Sequence, residues 1–148
     1  MAASAAPTQN FVAESLDTVT APITTTQAIF QGDLVKIASN KAVPCDTPAT
    51  DEVFGVSGDT NPVSSLGDTL SKIKVRRSGI HKFYLLAGTA NYNDPVYLTS
   101  TDAQTVTLTS PGAGSWIVGY SRSLEAVVGA AGVLLPVEIF VTPKAKVV

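Results

Sequence analysis

The sequence predicts an all-β fold: a small antiparallel β-barrel or sandwich built from two internal repeats, with an extended N-terminal arm. Three observations predict it. The chain repeats itself: GDLVKIAS at 32–39 returns as NDPVYLTS at 93–100, and VFGVS at 53–57 returns as IVGYS at 117–121. The first pair is offset by 61 residues and the second by 64, so three residues are inserted between the two motifs of the second copy. The offset of 64 then carries Val63 onto Val127, Leu70 onto Leu134, Ile73 onto Val137 and Val75 onto Ile139. Two copies are too few for a solenoid, which needs about three, but two half-built sheets can close on each other. The second observation is a series of short strand-like runs at roughly 8–12-residue spacing, punctuated by Gly and Pro turns. The third is composition: 45% hydrophobic and only 15% charged residues in 148 suit one domain with a real core rather than a disordered chain.

Residues 1–28 are rich in Ala and Thr, with prolines at 7 and 22 and no sustained period, and are expected to form the arm. Its spaced apolar residues Phe11, Val12, Leu16 and Val19 are candidates for docking on a partner. The barrel-like domain is expected over 29–148, with copies at about 29–77 and 90–141. Asp33–Ile37 reads as a strand after a Gly turn, Asn40-Lys41 as a turn, and Lys41–Pro44 as the start of a return strand. Glu52–Ser57 is a strand stopped by Gly58-Asp59. Thr69–Arg77 alternates Leu70, Ile73 and Val75 with Lys72, Lys74 and Arg76, the period of a half-buried strand. After the Ser78-Gly79 turn, Ile80–Leu86 is another. In the second copy, Pro95–Thr99 begins with Pro, which a strand's first residue tolerates. Thr105–Thr109, Trp116–Tyr120 and Val133–Val141 follow, and 122–131 has room for one helical turn, which Gly129 and Gly132 limit.

The bulk numbers exclude several function classes. A net charge of −2 argues against nucleic acid as the main partner, because phosphate binding needs a basic face. Cys45 stands alone, so no intrachain disulfide forms, and His81 is the one histidine, so a structural zinc site is not expected. No cofactor is expected. The N-terminal residues lack a positive, then apolar, leader pattern, and the longest apolar run, 127–137, is short of the ~20 residues a membrane helix needs. A soluble protein made in the cytoplasm is expected. Such a sparsely charged surface favours assembly with partners.

Nothing in the sequence reads as catalytic equipment, so no enzyme is expected. There is no G-x-S-x-G elbow and no phosphate-cradling glycine loop, and His81 follows a turn. The adjacent pair Asp51-Glu52 points to opposite faces of a strand. The uneven feature is basic: Lys72, Lys74, Arg76, Arg77 and Lys82 cluster, and Lys72, Lys74 and Arg76 share one strand face. That face either protects an edge strand by charge or docks on an acidic protein surface. Asp33 and Asp94, equivalent in the two copies, are expected to cap their own turns. Gly55 and Gly119, also equivalent, are expected to mark a bulge or a close backbone approach.

AIFQGDLVKI at 28–37, VFGVS at 53–57, TLSKIKV at 69–75, NDPVYL at 93–98, IVGYS at 117–121 and LLPVEIFV at 134–141 together resemble the capsid cement, or head decoration, proteins of tailed bacteriophages. That resemblance covers roughly residues 25–142. It implies a small β-barrel-like domain, usually a homotrimer, bound to the outer surface of the virion capsid where major capsid protein subunits meet, reinforcing the shell. It carries no catalytic residue, and it implies neither nucleic acid nor membrane as partner. The contact residues expected are Phe11, Val12, Leu16 and Val19 of the arm and Lys72, Lys74 and Arg76 of the basic strand. The alternative is a carbohydrate- or ligand-binding β-module, such as a phage tail or adhesin subunit, with Trp116, Tyr120, Tyr92 and Tyr97 lining the site.

Overall fold

The computed structural model describes residues 17–61, 69–139 and 147. The first lobe holds β1 (Thr18–Pro22), β2 (Leu34–Ala38), β3 (Lys41–Pro44), β4 (Gly55–Ser57) and β5 (Lys72–Arg76). The second holds β6 (Gly79–Leu85), β7 (Thr89–Ala90), β8 (Pro95–Leu98), β9 (Thr105–Thr107), β10 (Gly119–Ser121), β11 (Val127–Val128) and β12 (Leu134–Ile139). The first lobe is a five-stranded sheet in the order β1-β5-β4-β2-β3. The second is a closed barrel in the order β10-β12-β6-β9-β8, with β7 and β11 forming a separate ribbon. The chain is all-β, as expected.

The sequence repeat is a repeat of registers. Val35 faces Gly55 as Val96 faces Gly119, and Ile37 faces Ala42 as Leu98 faces Val106. Asp33 Oδ2 accepts the Phe30 N–H at 2.9 Å, and Asp94 Oδ2 accepts the Asn91 N–H at 2.7 Å. Both aspartates cap their turns. Gly32 and Asn93, just ahead of them, share the left-handed backbone at φ 98° and 72°, which Gly adopts without strain and Asn tolerates. Gly55 and Gly119 mark close approach: a methyl on Gly55 would sit 2.5 Å from Arg76 O, and one on Gly119 would overlap Glu138 O.

Three expectations are corrected. The last strands align at an offset of 62, not 64, because Ser57 faces Val75 and Ser121 faces Val137. A two-residue slip preserves which side chains face inward, so the alternating pattern did not reveal it. The helical turn at 122–131 is absent: Val127–Val128 is a strand pairing with Thr89–Ala90. There Gly129 lies against the Ala87 backbone, and its N–H bonds Gly88 O at 2.7 Å. The folded unit also begins before 29. Thr18 to Pro22 pair with Arg76 to Lys72 as Ile80 to Tyr84 pair with Glu138 to Leu134, so β1 is the first strand of copy one and not part of an arm. The turn after β2 is Ser39-Asn40, at φ 50° and 64°, which suits a two-residue hairpin.

Each lobe buries the same seven positions. Ala21, Ile23, Ile29, Val35, Ala42, Ile73 and Val75 in the first correspond to Phe83, Leu85, Ala90, Val96, Val106, Leu135 and Val137 in the second. Side-chain sizes are exchanged between positions: Ala21 with Ile29 becomes Phe83 with Ala90. Such a trade keeps a core filled, and roughly volume-conserving changes are the ones cores accept most readily. Leu34, Cys45, Val53 and Val56 leave the first lobe's core and pack into the second lobe's cluster instead, so burial joins the lobes.

The lobes differ at one seam. In the second, β6 runs parallel to β9 and closes the barrel, with the Tyr84 N–H bonding Gln104 O at 2.9 Å and the Leu86 N–H bonding Val106 O at 3.0 Å. The residue equivalent to Tyr84 is Pro22, which has no N–H to donate. The first lobe has no β1–β3 ladder among the described residues and stays an open sheet.

Candidate docking surface

The three-residue insertion sits in the loop between β8 and β9, which replaces the tight turn between β2 and β3. Its residues bridge the lobes. Ala103 O accepts the Leu34 N–H at 2.8 Å, and Gln104 Nε2 donates to Asp33 Oδ1 at 2.9 Å. The residue equivalent to Leu34 is Pro95, so the reciprocal backbone bond cannot form.

Beside this junction lies a groove of about 530 Å³ lined by Phe30, Pro44, Cys45, Tyr84 and Gln104, among others. Tyr84 pairs with Leu134 across β6 and β12 on the barrel's outer face. Phe30, Tyr84 and Leu134 are 52%, 42% and 45% exposed, unusual for side chains of that size in one neighbourhood. None of the three is among the contact residues expected from the sequence. Their signal was parity, since Tyr84 alternates with the buried Phe83 and Leu85.

The expected contact residues fall into three groups. Phe11, Val12 and Leu16 lie outside the described residues. Val19 is half-buried on β1, faces Val75 and packs on the first lobe's core, so it serves the fold. Lys72, Lys74 and Arg76 alternate with the buried Ile73 and Val75 and stand exposed on one face of β5. Together with Lys82 of β6, their side chains make no hydrogen bond or ion pair among the described residues. Arg77 behaves differently: its guanidinium lies 4.1 Å from the Phe54 ring centroid and its Nε donates to Phe54 O at 3.0 Å.

A second, smaller cleft of about 210 Å³ opens where β5 meets β6. Arg76, His81 and Lys82 line it, with Ser57 and Gly58. His81 is half-buried, and its Nε2 donates to Ser78 O at 3.0 Å.

Asp51 is buried and structural. Its carboxylate takes the Lys36 ammonium at 2.9 Å and the Asp46 and Thr47 N–H groups at 2.9 and 2.8 Å, folding the 46–51 loop onto β2. Burial pulls the Lys36 ammonium toward its neutral form, but hydrogen bonds and charge from Asp46 and Asp51 outweigh it and hold its pKa above the usual lysine value. The Lys36 contact holds the Asp46 carboxyl below the usual aspartate value. The aromatics of the alternative reading do not form one open platform: Tyr97 is buried and Trp116 half-buried, while Tyr92 and Tyr120 flank the Arg122 guanidinium at 5.5 and 5.9 Å. Among the described residues, no group of three or more His, Cys, Asp or Glu side chains is placed to hold a metal ion, and no helix is long and apolar enough to cross a membrane. Neither a scan against protein-family models nor a search of the curated proteins finds a match to this chain.

Proposed function

We propose that this protein is a structural capsid decoration protein. It binds the outer surface of a phage head as a homotrimer and stabilises contacts between major capsid protein subunits. The observation that carries this reading is the surface at and beside the lobe junction. Half-exposed Phe30, Tyr84 and Leu134 stand on a scaffold whose β5 face carries cations that have no side-chain partner among the described residues. Large apolar side chains left half-exposed around a groove suit a partner contact, and a charged stripe on the same domain steers and orients docking. The sequence motifs that resemble the cement family supply the particular partner. A clamp of this kind needs area rather than chemistry, on the order of 1,200–2,000 Å² per stable contact, and a trimer multiplies weak contacts through avidity.

The test uses purified heads lacking the protein. Heads incubated with the full chain should bind it in a fixed stoichiometry and resist heat disruption. A chain lacking residues 1–16 should bind less tightly while remaining folded, because β1 begins at Thr18. Lys72→Glu with Lys74→Glu should slow association. Failure of the full chain to bind heads overturns the proposal.

A further inference from the structure

A further difference between the two lobes lies at a charged pair of positions. In the second lobe Arg122 directly follows β10 and Glu138 lies on β12, and Arg122 Nε donates to Glu138 Oε1 at 2.7 Å. By the registers of the two lobes, Gly58 occupies the place of Arg122 and Arg76 the place of Glu138. The first lobe therefore carries the cation on its last strand, and at Gly58 it has no side chain where the second lobe has Arg122. Arg76 Nε lies 3.8 Å from where a Cβ on Gly58 would stand, so among the described residues the space that holds a charge partner in the second lobe holds none in the first.

Arg76 lines the cleft together with Lys82 and His81, and no carboxylate lines it among the described residues. The neighbouring Asp59 has its Oδ2 engaged by the Lys74 N–H at 2.7 Å. Two cations facing one small space repel each other, and an anion placed between them relieves that repulsion. The planar guanidinium suits a carboxylate in particular, because it offers parallel N–H donors. A nucleic-acid backbone fits less well: among the described residues no Phe, Tyr or Trp lines the cleft to stack a base, the His81 ring is tied to Ser78 O, and the chain carries net charge −2.

We infer that this cleft is a carboxylate-binding site, which takes an Asp or Glu side chain from an acidic segment of a partner protein. Arg76 holds that carboxylate as Arg122 holds Glu138, and Lys82 adds the second cation. The inference rests on the docking reading above and names what part of the cationic surface grips.

The test titrates the ¹⁵N-labelled full chain with an acetylated, amidated tetraglutamate peptide, with inorganic phosphate and with an oligothymidylate, at low salt. The peptide should shift the amides of Gly58, Arg76 and Lys82 saturably, and raising salt should reverse the shifts. Arg76→Ala and Lys82→Ala should each weaken the peptide about tenfold or more, whereas Lys41→Glu, a lysine that does not line the cleft, should change little. Gly58→Glu is the decisive variant. The nearest atom to a Cβ there is Lys74 O at 3.4 Å and the backbone is not left-handed, so the variant should fold, pair internally with Arg76 and lose the peptide. Cleft amides that do not move, a Gly58→Glu chain that binds the peptide as tightly as the parent, or tighter cleft binding by phosphate or oligothymidylate would each overturn the assignment. Because no heads are used, an inert cleft on a chain that still binds heads removes this site alone. A responsive cleft on a chain that ignores heads removes the docking reading alone.

Discussion

Gln104 Nε2 donates a 2.9 Å hydrogen bond to Asp33 Oδ1, joining residues 71 positions apart that belong to opposite lobes. The bond depends on the three-residue insertion that sets the second copy apart from the first. The other Asp33 oxygen is taken by its own turn, so one carboxylate both caps copy one and receives copy two. The departure from perfect repetition thus has a role: it lets two similar lobes meet asymmetrically.

Gln104→Ala should therefore loosen the junction without unfolding either lobe. A hydrogen bond to a charged acceptor contributes about 1.5–3 kcal/mol, and partial exposure here argues for the lower end. Urea unfolding should report a loss of about 1–2 kcal/mol. Asp33→Ala should cost more, because it also removes the turn cap.

The paired glycines make a sharper contrast. Gly55→Ala and Gly119→Ala drive a methyl into the carbonyl of the neighbouring strand, and each should destabilise by about 1–3 kcal/mol or more, as overpacked sites do. Gly58→Ala, one strand-end away with ordinary room for a Cβ, should be nearly neutral. Thermal melts of the three variants side by side check this. Similar melting for all three would mean the β4–β5 and β10–β12 approaches are not tight.

Much of this was legible in the sequence. The duplicated motifs located β2, β4, β8 and β10, the aspartate turn caps and the two close-approach glycines, because turns and glycines act locally. Alternation on β5 showed which of Ile73, Lys74 and Val75 face inward. It did not show register, since sliding a strand by two residues leaves every side chain on the same face. The membership of β1 in copy one was hidden for another reason. Thr18 to Pro22 share no residue identity with Ile80 to Tyr84, and Ala21 matches Phe83 only through the compensating pair Ile29 and Ala90. The cleft was half legible: Arg76, His81 and Lys82 lie close together in the sequence, but Ser57 and Gly58 join them only through the pairing of β4 with β5.

The open seam of the first lobe should show in amide hydrogen exchange. Tyr84 and Leu86 bond across the closed seam and should exchange slowly. Thr24, at the place equivalent to Leu86, should exchange at least about tenfold faster, since edge positions open at low free energy. Equal protection would mean that the Pro22 seam is closed in solution.

The Lys36–Asp46–Asp51 group predicts a pH response. Asp46 is held below its usual pKa, so its contribution is present above the ordinary aspartate value and is lost as pH falls through the depressed one. Lys36 is held above its usual pKa, so its contribution is present below the ordinary lysine value and is lost as pH rises through the raised one. Stability from this group should thus be flat through neutral pH and fall at both extremes, with a small acid limb because Asp46 is largely exposed. Asp51→Asn should cost about 2–3 kcal/mol at pH 7, less than a fully buried pair would because Lys36 keeps some solvent. Denaturant midpoints across pH for the parent and for Asp51→Asn check both statements.

The most direct measurement is a cryo-EM reconstruction of the particle that carries this chain. Trimeric density, each copy with two lobes, is expected on the outside of the shell, seated over the joints between major capsid subunits, with the Phe30–Tyr84–Leu134 face or the β5 cations turned toward the shell. Density on the tail or inside the head, or an exterior with no such feature, would contradict it.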